Sequence, residues 1–187
     1  MFRPGSAYAT LARCPSELAR WRSVRRPLFL AFFLGCMVSL VTSQRLTLRL
    51  VAAGTLNMSF VPVVEIVGIF VTWHRRRVVS FSRSVDLFFL GHGPWVLGIV
   101  AFAAIWAFAT PEQAFLWTAP HRVWPLLVLT LVWSGYIDYS FFRRVFERRR
   151  GQAILDVLTH RGISWSLGIL IFGAGPLAAH IVSVIRR

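Results

Sequence analysis

The chain has 187 residues, of which 56% are hydrophobic and only 15% charged, and its net charge is +14. A soluble domain carries about a quarter charged residues, so this composition argues against a water-soluble globule. Mean hydropathy is +0.62 and the pI about 11.8, but nucleic-acid binding is not the reading, because the arginines stand in short clusters between long apolar runs. All 21 basic residues are Arg, which reads as the mark of a GC-rich genome rather than of a need for guanidinium chemistry.

Residues 1–26 are polar and hold six arginines with one acid, Glu17. They read as a basic cytoplasmic tail. Pro15–Trp21 is expected to form a short interfacial helix, with Ser16 as N-cap and its arginines on anionic headgroups. Cys14 falls in this tail and Cys36 in the first apolar run. The two lie in different media, so no bridge is expected, and neither has metal-ligand spacing.

The apolar runs predict an all-α polytopic bundle of about five spans over 27–185, at Pro27–Ser43, Leu50–Trp73, Val85–Ala109, Val123–Phe142 and Ile163–Ile185. The first run resembles a signal peptide, but 26 preceding residues are long for one, so an uncleaved span is expected. Gly151–Gly162 reads as a separate amphipathic helix, with Ile154, Leu155 and Leu158 on one face. The runs are too long for the alternating strands of an outer-membrane barrel.

With the N-terminus inside, segments 1–26, 74–84 and 143–162 hold six, four and six arginines. Segments 44–49, 110–122 and 186–187 hold two, one and two. The positive-inside rule then puts the C-terminus outside, and the location is expected to be a bacterial inner membrane.

Glu65, Asp86 and Asp138 lie in or beside spans. A carboxylate at mid-span costs about 2.5–3.5 kcal/mol, so such groups face a partner or water. Glu65 is eight residues from the end of its run, or about 12 Å deep at 1.5 Å per residue. All three acids therefore fall in the inner half. The sharper reading is one polar site of Glu65, Asp86, Asp138 and His92, with Arg83 and Arg143, that binds a cation or headgroup or relays protons. The plainer one pairs Asp86 with Arg83 and Asp138 with Arg143, and leaves Glu65 protonated or hydrogen-bonded between helices. His74 and His160 are expected in the cytoplasm, and His121 and His180 toward the outside. The histidines share no depth that would make a metal or haem site. No cofactor and no catalytic constellation is expected.

Ala31, Gly35 and Ser39 make a small-residue stripe on the first span, and Gly175, Ala179 and Ser183 another on the fifth. Pro62 and Pro176 are expected kinks. Asn57 reads as a helix–helix contact.

Pro15-Ser16-Glu17 and Trp21 before the first span, five closely spaced spans and a short outward C-terminus resemble the YIP-type family of Rab-interacting five-span membrane proteins. The likeness covers the layout and implies a role in membrane organisation or trafficking; it carries over no site residue. The leading expectation is a non-enzymatic membrane protein acting by helix packing with itself or a membrane-protein partner. The alternative is a small transporter or channel using Glu65 and the kinked second and fifth helices.

Overall fold

A computed structural model describes residues 3–13, 19–75, 77–108 and 120–185, with side chains omitted at 19, 106–108, 120–123 and 172–185. These residues form eight helices and no strand: α1 Pro4–Arg13, α2 Ala19–Ser43, α3 Leu48–Met58, α4 Phe60–His74, α5 Phe81–Leu90, α6 Gly93–Phe108, α7 Pro120–Val145 and α8 Arg150–Ile185. Among the described residues, four stretches are long and apolar enough to cross a membrane, and a fifth is obtained if the bent pair α5–α6 counts as one crossing. The protein is an all-α bundle of membrane-spanning helices.

Local chemistry sets the ends. The Thr47 hydroxyl accepts the Leu50 N–H at 3.3 Å and caps α3; Ser80 does the same for α5 through the Arg83 N–H, also at 3.3 Å. Gln44 (φ 53°) and Glu147 (φ 52°) take the left-handed conformation just past the ends of α2 and α7, a place more often held by Gly or Asn. Ser59 stays helical, so α3 and α4 run on as one crossing, Leu48–His74. The break therefore falls at Ser59, three residues before Pro62, whose missing N–H leaves the Met58 carbonyl without its helical donor. Pro176 lies where side chains are not described; the backbone there is helical.

The crossing α5–α6 is bent by 43° between Leu90 and Gly93. Pro94 sits in the first turn of α6, where its lack of an N–H costs nothing. It cannot, however, bond the Leu90 carbonyl four residues back, so the ladder stops at Gly91-His92.

Three expectations change. The helix in the N-terminal tail is Pro4–Arg13; residues 15–18 of the expected interfacial segment lie outside the described residues, and Arg20-Trp21 are already in α2. The first crossing thus starts well before Pro27. Its arginines need not end the helix, because they remain at the aqueous end. Nor is α1 a detached tail. Tyr8 is buried, stacks edge-on to Phe141 at 5.7 Å, and lies against Gly91. Finally, Gly151–Gly162 is not separate from the fifth span, since α8 is one helix of 36 residues.

Helices α2 and α3 form a close hairpin. A Cβ on Gly54 would stand 2.7 Å from the Gly35 carbonyl, and one on Gly35 would strike the Thr55 backbone. Ala31 and Ser39 are buried beside them. The first small-residue stripe is therefore used within the chain. The stripe at Gly175, Ala179 and Ser183 lies where side chains are not described. Asn57 is exposed rather than at a helix contact.

Burial is reversed relative to a soluble protein. Along α7, Thr130, Ser134 and Ser140 are buried while Leu129, Val132 and Trp133 are exposed. Along α8, Asp156, His160 and Ser164 are buried while Ile154, Leu155 and Leu158 face out. Polar groups turn inward because the surrounding hydrocarbon offers them no hydrogen bonds. An apolar core is packed at the arginine-rich end, where Phe141, Phe142 and Val145 of α7 and Phe146 just beyond it meet Phe88 of α5 and Ile69 of α4.

Candidate functional site

Four helical stretches bring ionisable groups together inside the bundle. Helix α4 supplies Glu65, the α5–α6 break His92, α7 Asp138 with Ser134, and α8 His160, Arg161 and Ser164. Glu65 Oε2 lies 3.1 Å from His160 Nε2. That imidazole is 2% exposed, and it fits because Gly68 has no side chain: a Cβ there would stand 2.7 Å from His160 Cδ2. His160 Nδ1 has no hydrogen-bond partner among the described residues.

Beside this pair, Arg161 holds Asp138 with two nitrogens, at 3.1 and 2.8 Å to Oδ2. The same guanidinium donates to the Ser134 hydroxyl at 2.7 Å and the Leu131 carbonyl at 3.3 Å. Asp138 therefore pairs with Arg161 and not with Arg143, whose Nη1 donates to the Arg148 carbonyl. Both residues that meet the acids come from α8, which lies between α4 and α7; consecutive positions on a helix point about 100° apart, so His160 reaches α4 and Arg161 reaches α7.

A cavity of about 20 Å³ separates the two pairs, lined by Glu65, His92, Asp138, His160 and Arg161 among others. That is room for about one water molecule with several polar partners. Glu65, His92 and Ser164 also line a second, larger cleft of about 760 Å³. Glu65 thus touches both spaces. His92 stacks on Phe89 at 4.7 Å, and its Nδ1 lies 3.4 Å from the Phe88 carbonyl.

Asp86 is placed elsewhere. It pairs with Arg26 of α2 at 2.6 Å and with Arg83 at 3.2 Å, and Arg83 also donates to the Leu11 carbonyl of α1. This knot ties α1, α2 and α5 together. A similar knot joins Asp156 to Arg148 at 2.7 Å and to Arg75 at 4.0 Å. Of the four residues expected in one site, three line the small cavity or the pairs beside it, and Asp86 serves the arginine-rich end of the bundle.

His160, Arg161, Ser134 and Ser164 were not among the expected site residues. The signal for them is the spacing of Asp156, His160 and Ser164, four apart on one face, once α8 is read as continuous. Among the described residues no group of three or more His, Cys, Asp or Glu is placed to hold a metal ion. Comparison with protein-family models, with curated proteins and with solved structures gave no match.

Proposed function

We propose that this membrane protein is a small transporter whose working part is the Glu65–His160 pair, alternately charged and discharged by a proton. One observation carries the reading: a carboxylate and an imidazole in contact, inside a crossing segment, each facing a cavity that holds about one water. Ionisable groups at such depth are costly and generally mark ion or proton paths. The second pair, Asp138–Arg161, neutralises itself and lends a polar wall. The bent α5–α6 crossing supplies the irregular backbone that broken-helix transport sites use. We further read the arginine-rich end as cytoplasmic, from the positive-inside rule.

Helix packing with a partner loses support on the first span, since Gly35 is spent against α3. The layout likeness to the YIP-type proteins carries no site residue and does not enter this reading.

The test is infrared difference spectroscopy on purified protein in nanodiscs, taken between about pH 5 and 8, where an imidazole titrates. Glu65→Gln should remove a titrating carboxyl band and perturb the imidazole band, with the melting curve retained. A wild-type spectrum without a titrating carboxyl or imidazole, or one that Glu65→Gln leaves unchanged, defeats the proposal.

A further inference from the structure

The larger cleft indicates what such a site would take. It runs between α2, α4, α6 and α8, and its walls include Leu30, Leu34, Val61, Ile99 and Ile169. At about 760 Å³ it falls in the range of roughly 300–1,000 Å³ usual for small-molecule sites. Trp165 and Ile169 on its rim are 52% and 71% exposed, so it opens sideways, toward the hydrocarbon, rather than toward water.

Its polar end is selective in composition. Glu65, His92 and Ser164 line it; Arg161, Asp138 and His160 do not. Arg161 turns its donors to Asp138, Ser134 and Leu131. The Ser164 hydroxyl donates to the Val64 carbonyl at 3.3 Å. What faces the cleft is thus a carboxylate, an imidazole and the indoles of Trp95 and Trp165. A carboxylate flanked by aromatic rings suits an ammonium-type cation, which gains from both the charge and the ring faces. An anionic head would meet Glu65 first and find no guanidinium.

We infer that the cleft binds a hydrophobic monocation, an apolar chain or ring system bearing an amine or quaternary ammonium, which enters from the bilayer and places its charge against Glu65. This rests on the transport reading above. Glu65 and His160 together hold one exchangeable proton. When the cation binds, that proton leaves the pair to solvent, so that Glu65 carries the negative charge that faces the cation and His160 is left neutral. Charge balances, one cation for one proton. The other ionisable groups around Glu65 are His92 at the helix break, Asp138 on α7 and Arg161 on α8, the last two paired with each other.

The experiment uses three matched probes on the full chain in nanodiscs: dodecyltrimethylammonium, dodecyl sulfate and tetramethylammonium. Binding is followed by tryptophan fluorescence and proton release by a dye in weak buffer. Dodecyltrimethylammonium should bind saturably, at least about tenfold tighter than either other probe, and release about one proton per molecule. Glu65→Gln should abolish proton release and bring the two dodecyl probes to equal affinity; Glu65→Asp should keep the cation preference. Equal affinity of the two dodecyl probes in the wild type, a preference for dodecyl sulfate, or binding without proton release overturns the inference. If the cation does not bind but the infrared bands still depend on Glu65, the substrate inference fails while the proton-pair reading stands. If those bands do not depend on Glu65, both fail.

Discussion

Arg161 shows how much one side chain can hold in a low-dielectric interior. Removing it as Arg161→Ala strands the Asp138 carboxylate among α7 and α8, and breaking a buried pair from one side typically costs about 3–5 kcal/mol. The variant should melt well below the wild type in detergent, whereas Asp138→Asn added to Arg161→Ala should recover most of the loss. Additive melting shifts in the two single variants and the double would show that the pair is not coupled. Gly68 presents the opposite case, a residue that acts by what it lacks. Gly68→Ala would push on His160 Cδ2, a strain of about 1–3 kcal/mol for overpacking. It should alter the titrating imidazole band more than it lowers the melting temperature.

Helix α1 is held by its packing on α7, by the Arg83 bond to the Leu11 carbonyl and by the seat of Tyr8 against Gly91. Gly91→Leu would drive a side chain into the Tyr8 hydroxyl and to within 2.7 Å of where Ile137 Cγ2 now sits. Trypsin should then cut at Arg13 much faster than in the wild type, with α2 to α8 still resistant. Unchanged protection of Arg13 would mean that α1 is held from elsewhere. Burial, reinforced by the Asp138 carboxylate and opposed by Arg26, raises the Tyr8 phenol above its ordinary value. The folded state thus prefers the neutral phenol, so the stability it contributes is complete below about pH 10, the free tyrosine value, and fades as pH rises beyond it. Protection of Arg13 should follow that course and stay flat at neutral pH. The same helix marks what the residues alone reveal. Long runs such as Leu50–Trp73 announce themselves because hydropathy integrates over twenty positions. Ten residues that pack with Tyr8 and Leu11 produce no such sum. Likewise Glu65, Asp138 and His92 were legible as costly intramembrane groups, but His160 and Arg161 were not. A cluster of arginines upstream made Gly151–Gly162 read as a cytoplasmic segment, when the continuous α8 carries it up against α4 and α7. Tertiary contact across about 95 residues, as between Glu65 and His160, has no local trace.

The bundle as a unit turns polar faces inward and apolar faces out, and gathers its arginine knots at one end. Reporter tags fused at residues 1 and 187 should therefore fall on opposite sides of the membrane, with the first in the cytoplasm. Tags on the same side would remove one crossing and with it the depth assigned to Glu65. The docking of α1 has a bearing on biogenesis. Its seat is built from Gly91, Ile137 and Phe141, which leave the ribosome long after Tyr8. At translation rates of about 5–20 residues per second, Tyr8 waits roughly 7–27 s for Phe141 to be made. Helix α1 therefore cannot take its seat until α5 and nearly all of α7 have been made, and it must wait undocked while the crossings between them are synthesised.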